Sequence, residues 1–112
     1  MKEVEFLGNS LDVVRSFSVD VKRAIGFQIE RLQNGLEPDD WKPMKSIGQG
    51  VREIRVRQGG GAYRAIYIAT IAEAVFILHA FEKKTQETAK RDLDIATSRL
   101  KALRNQSPER KK

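Results

Sequence analysis

The run Ala74-Val-Phe-Ile-Leu-His-Ala-Phe81 constrains this chain more than any other stretch. It is one strand long and apolar on both faces, which places it centrally in the sheet. Two more strands precede it at close spacing. The first, over 51–57, alternates, with Ile54 and Val56 pointing one way and Glu53, Arg55 and Arg57 the other. The second, over 62–70, carries Tyr63-Arg64-Ala65-Ile66-Tyr67, and Gly59-Gly60-Gly61 supplies the tight turn between the two. Connections this short force antiparallel pairing, because a parallel crossover needs about a dozen residues.

Elements on either side complete an α+β arrangement. Residues 2–7 alternate and read as a short first strand, with Val4 and Phe6 on one side. Ser10 is placed to cap a short helix through Phe17, whose inner face is Leu11 and Val14. Ser18 is placed to cap a longer helix on which Val21, Ile25, Ile29 and Leu32 recur at helical spacing, and Asn34-Gly35 ends it. Residues 37–43 read as loop, in which Trp41 is either an anchor to the core, the reading preferred, or a base-stacking platform. Met44 to Ile47 reads as a short edge strand. After Phe81 the text turns polar, and a last helix over 88–103 carries the stripe Ala89, Leu93, Ala96, Leu100 and Leu103. The expected fold is one domain over 1–104, an N-terminal helical hairpin and a C-terminal helix packed on a small antiparallel sheet. Residues 105–112 read as a polar, basic tail without fixed structure.

Composition narrows the function. Twenty-one Lys and Arg against fifteen Asp and Glu give a net charge of +6, and the excess lies in the second half of the chain. A small domain this basic suits a polyanionic partner, either nucleic acid or an acidic protein. No apolar run reaches the ~20 residues of a membrane span, so no membrane is expected as a partner. With no Cys and one His, neither a disulfide framework nor a zinc site is available, which fits a reducing cytoplasm. No metal or other cofactor is expected. The glycine triplet joins two strands rather than opening a helix, so it is no phosphate cradle, and no nucleophile elbow is present.

What remains is a basic and aromatic set on neighbouring strands. Glu53, Arg55 and Arg57 share a face; Arg64 and Tyr67 sit on the next strand at opposite parity; His79 ends the inner strand; Lys83 and Lys84 follow it. RNA cleavage needs a base for the 2′-hydroxyl, cations for the crowded phosphate and an acid for the leaving oxygen. The arginines suit the cation, and Glu53, His79 or Tyr67 suit proton exchange. Plainer readings stand beside these: Glu53 as an ion-pair partner of Arg55 or Arg57, His79 and Tyr67 as core residues, Lys83-Lys84 as a solvated turn.

The stretches Gly50-Val-Arg-Glu-Ile-Arg55, Tyr63-Arg-Ala-Ile-Tyr67 and Leu78-His-Ala-Phe-Glu-Lys-Lys-Thr-Gln86 occur in an order that resembles the phage-derived HigB-like toxins of the RelE/ParE superfamily. Leu32-Gln-Asn-Gly35 and Met44-Lys-Ser-Ile-Gly48 fit the same pattern, so the resemblance covers about residues 3–100. It implies a RelE-like fold and the toxin of a type II toxin–antitoxin system. That toxin would be a metal-independent endoribonuclease that cleaves mRNA on the ribosome and is neutralised by an adjacent-gene helix-turn-helix antitoxin. Operator DNA would be met only through the antitoxin complex. By position, Arg55 and Arg64 are implied to bind RNA and stabilise the transition state, with Arg57, Lys83 and Lys84 gripping the strand. His79 belongs to the HigB-like pattern, with Glu53 or His79 handling protons and Tyr67 orienting. The chain departs from the resemblance at Glu53, where RelE has lysine, and at Ala89, where many members have proline after Thr88. ParE-like relatives instead poison DNA gyrase without cleaving anything, and a prophage remnant that only binds antitoxin is a third possibility.

Overall fold

A computed structural model describes residues 1–110, with side chains as far as Gln106. Its elements are β1 (Glu3–Phe6), α1 (Ser10–Ser16), α2 (Val19–Gln33), β2 (Trp41–Pro43), β3 (Val51–Gln58), β4 (Gly61–Ile71), β5 (Ala74–Lys83) and α3 (Lys90–Arg110). The strands form one five-stranded sheet in the order β1-β5-β4-β3-β2. As the short connections require, β3, β4 and β5 form an antiparallel meander. The sheet as a whole is mixed, however, not antiparallel as expected: β1 lies parallel to β5, with Glu3 opposite Ala74 and Phe6 opposite Ile77. The cause is topological. The α1–α2 hairpin carries the chain from one edge of the sheet to the other, and β1 is left beside a strand that follows some seventy residues later.

The run 74–81 is covered on both faces because the helices divide between them. Val14 of α1 and Val21, Ile25, Ile29 and Leu32 of α2 pack with Ile54, Val56, Ala65, Tyr67, Val75 and Ile77 on one face. Ala96, Leu100 and Leu103 of α3 pack with Val51, Ile66, Ile68, Phe76, Leu78 and Phe81 on the other, together with Met44 and Ile47. Each fully buried aliphatic side chain contributes about 1.5–3 kcal/mol, so the two layers are the main source of stability. Of the tail expected over 105–112, α3 takes in the residues to Arg110, and Lys111 and Lys112 lie outside the described residues.

Two local expectations change and one holds. Ser10 is not the cap of α1: Asn9 holds that position, and the buried Ser10 hydroxyl donates to the carbonyl of Ile77 at 3.3 Å. Ser18 does cap α2, accepting from the backbone N–H of Val21. The edge strand is Trp41–Pro43, not 44–47. Met44 and Ile47 are both buried against the α3 layer, and a turn brings residues three apart to one side whereas a strand would part them.

The two hairpin turns differ in quality. Gly59 and Gly60, with φ of +57° and +83°, make the two-residue turn between Gln58 and Gly61 at no steric cost. The β4–β5 turn places Ala72 and Glu73 at φ of +54° and +55°, where an L side chain costs about 1–2 kcal/mol per residue. Replacing Ala72-Glu73 by Asn-Gly is therefore expected to stabilise the protein by about 1–2 kcal/mol and raise its Tm by roughly 4–10 °C. A thermal melt checks it; an unchanged or lower Tm contradicts it.

Candidate functional site

Glu53, Arg55, Arg57, Arg64 and Lys83 occupy the α3-facing side of the sheet, at the end of β3 and β4 nearest their shared turn. The pairing fixes this: Arg55 lies opposite Arg64, Arg64 opposite Phe81, and Lys83 opposite Ala62. At the centre is a buried ion pair. Glu53 is 1% exposed and Arg64 3%, with Arg64 Nε at 3.4 Å from Glu53 Oε1. Arg64 Nη1 donates to its neighbour Tyr63's carbonyl, and the Thr88 hydroxyl donates to Glu53 Oε2 at 3.1 Å from the segment entering α3. Burial pulls the Arg64 pKa down, Glu53 opposes that, and Arg55 and Arg57 add to the lowering. Of the partners expected for Glu53, then, neither Arg55 nor Arg57 is the one in contact; Arg64 is.

Around this pair cations outnumber carboxylates. Arg57 is exposed, and Arg55 is half-buried with only a loose ion pair to Asp40 at 3.8 Å. Lys83 is half-buried, and its pKa is lowered first by burial and then by Arg64, with Lys42 and Arg55 contributing and Glu53 opposing. Like charges held this close cost free energy that a polyanion would recover. Lys84 is exposed, pairs with Glu82 at 3.6 Å, and lines a cleft with Lys83, Phe81, Arg91 and Asp92 where α3 begins. Sequence reasoning missed two members of this region. Lys42 lies opposite Glu53 on the edge strand and was read as loop; Thr88 was read as the first residue of the last helix, which begins instead at Lys90. The signal for Lys42 was its parity between Trp41 and Pro43, legible only once that segment is read as a strand.

Two expected site residues lie elsewhere. Tyr67 is 1% exposed on the opposite face, under α2, so it does not meet Arg64 or Glu53. Burial raises its pKa, and the nearby Arg52 guanidinium partly offsets that. His79 is on the α3 face but 6% exposed, stacked on Phe81 with ring centroids 5.2 Å apart; Phe81 is also the residue opposite Arg64. His79 Nε2 lies 2.7 Å from Asp92 Oδ1 in the first turn of α3. A carboxylate only accepts, so Nε2 carries the proton of the neutral ring, and Nδ1 is left buried without a hydrogen-bond partner. In this geometry His79 fastens α3 to the sheet.

That arrangement has a pH signature. The His79 pKa is lowered from the ordinary 6.5, chiefly by burial, with Asp92 opposing. Below about 6.5 the unfolded chain therefore takes up a proton before the folded one does. The stability is present above the unfolded value and is lost as pH falls through the folded one. Because this is the chain's single histidine, wild type is expected to lose more Tm than His79→Gln between about pH 7.5 and 5.5. Equal losses contradict the assignment.

Among the described residues, no helix is long and apolar enough to cross a membrane, and no group of three or more His, Asp or Glu could hold a metal ion. No curated protein matches the chain in a sequence search. A family profile does, over residues 12–101, under the description phage derived protein Gp49-like (DUF891). That span takes in the hairpin, β2 to β5, the cationic cluster and most of α3. The chain thus belongs to the Gp49-like family of phage-derived proteins, which is of the RelE/HigB toxin–antitoxin type.

Proposed function

We propose that this chain is the toxin of a type II toxin–antitoxin pair and an endoribonuclease. In this reading it cleaves mRNA on the ribosome in the cytoplasm, and an adjacent-gene helix-turn-helix antitoxin neutralises it. The observation that carries the proposal is the crowd of Lys42, Arg55, Arg57 and Lys83 around the buried Glu53–Arg64 pair at one end of the sheet. RNA supplies the repeating anion such a surface lacks, with salt-sensitive affinity.

The chemistry that suits these residues is transesterification. The RNA 2′-oxygen attacks the adjacent phosphorus, the bond to the 5′-oxygen breaks, and a 2′,3′-cyclic phosphate and a 5′-hydroxyl result. Arg55 and Arg57 hold the phosphate and offset the charge that grows on its oxygens. Lys83, whose lowered pKa makes its ammonium a better proton donor, protonates the departing 5′-oxygen. The 2′-hydroxyl proton goes to solvent, since Glu53 is committed to Arg64 and Thr88 and His79 to Asp92. Arg64 acts from behind, its charge balanced by Glu53. Cleavage here leans on strand-borne cations more than on an acid–base pair. The test is whether producing the protein in cells yields new mRNA 5′ ends that depend on Lys83.

A further inference from the structure

The Tyr67 hydroxyl is the unused polar group on the other side of the sheet. It is fully buried and makes no hydrogen bond of good geometry, so it has a donor to offer. Arg52 and Glu37 are the charged groups that act on it. Both line, with Tyr67, a cleft of about 220 Å³ between the C-terminus of α2 and the ends of β3 and β4, walled by Leu32, Leu36 and Ala69. Leu36 is 52% exposed at its rim. A second cleft of about 440 Å³ shares Gly50 and Arg52 with it and is walled by Trp41, Pro43 and Lys45. The Arg52 guanidinium lies 4.0 Å over the Trp41 ring and forms the ridge between the halves.

The donor set identifies the occupant. Tyr67, Arg52 and Lys2, whose ammonium also donates to the Ala69 carbonyl at 3.4 Å, supply donors, the Glu37 carboxylate accepts, and apolar walls stand to either side. A bare anion would satisfy the donors but meet Glu37, whereas a flat ring with donors and acceptors on one edge satisfies both kinds of group. At 220 Å³ the cleft is smaller than the ~300–1,000 Å³ of a drug-sized pocket and takes a single ring system. Single-stranded RNA is read in this way, by splayed bases hydrogen-bonded on their edges and stacked on aromatic or guanidinium planes. The Arg52–Glu37 pair, at 3.2 Å and with side chains 37% and 63% exposed, is a movable cover, since ion pairs this exposed hold only weakly.

We infer that the Tyr67–Arg52–Glu37 cleft binds one unstacked nucleobase of single-stranded RNA by its edge, with Trp41 beside it as the aromatic surface of the groove. Guanine fits best, because it presents two adjacent N–H donors to one carboxylate and a carbonyl to Arg52 and Tyr67. Lys42 and Trp41 adjoin on the edge strand and point to opposite faces, so a strand crossing that edge joins the cationic cluster to this cleft. The inference rests on the proposed RNA substrate only for the source of the base.

Trp41 is the chain's single tryptophan, so its fluorescence reports on this groove alone. The four nucleoside 5′-monophosphates and ribose 5-phosphate would be titrated against the whole protein, with equilibrium dialysis as a direct measure of binding. GMP is expected to bind at least about 5-fold more tightly than UMP, and Tyr67→Phe to weaken GMP by about 5-fold, as loss of one hydrogen bond implies. The Phe variant loses only an unsatisfied hydroxyl and keeps its fold; Glu37→Gln should erase the preference for guanine. Lys83→Ala leaves GMP binding intact, so base binding can fail or succeed independently of cleavage. Ribose 5-phosphate binding as well as GMP, equal affinity for the four nucleotides, or no binding by dialysis overturns the inference.

Discussion

Arg64→Ala is expected to destabilise the protein by about 3–5 kcal/mol, because it leaves Glu53 as a buried charge without its counter-ion. Glu53 is 1% exposed, and its other contact, the Thr88 hydroxyl, cannot replace a guanidinium. Urea unfolding should show the midpoint falling steeply, and a thermal melt should show a Tm lower by more than about 12 °C. Replacing both partners, as Arg64→Met with Glu53→Leu, should recover most of that loss, since apolar substitutes of similar size often match a buried pair. A midpoint unchanged in Arg64→Ala would mean that the pair opens to water and that Arg64 is free to meet substrate. An inactive Arg64→Ala protein therefore reports on the fold as much as on chemistry, and the sharper probe of chemistry lies at the surface.

That probe is Lys83. Lys83→Ala is expected to reduce RNA cleavage by about 100-fold or more, the usual weight of a positioned proton donor, while stability changes by only about 0.5 kcal/mol. Lys83 is half-buried and makes no ion pair among those found in the described residues, so its removal leaves no partner stranded. Arg55→Ala and Arg57→Ala should weaken RNA affinity with shallower salt dependence, each losing about one phosphate contact from the slope. Normal cleavage by stably folded Lys83→Ala would remove this residue from the chemistry.

The meander, the helical hairpin and the last helix could be read from hydrophobic periodicity and glycine turns, because those signals are local. The face-sharing of Glu53, Arg55 and Arg57 could be read from strand parity alone. Three features could not. The parallel β1–β5 pair joins segments some seventy residues apart, and no local pattern encodes such a partner. The second is a bulge in β5. Ile77 pairs with Tyr67 and His79 with Ile66, so Leu78 is the extra residue and both His79 and Leu78 belong to the α3 side. Simple alternation would have grouped His79 with Ile77 under α2. Arg99 answers the displaced Leu78 carbonyl with a hydrogen bond of 3.0 Å, a contact between distant elements that spacing cannot foresee. The third is burial of charge. Spacing shows that Glu53 and Arg64 lie on adjacent strands, but only the packing of Phe81 and Thr88 around them turns a surface pair into an interior one.

The cationic face is the centre of this account, and primer extension on a reporter mRNA tests it most directly. The RNA would be taken from cells producing either the wild-type protein or Lys83→Ala at matched, folded levels. Discrete new 5′ ends within coding sequence, present with wild type and absent with Lys83→Ala, are the predicted result. Intact message in cells whose growth is arrested by the wild-type protein would contradict it and point to a poison that acts without cutting RNA.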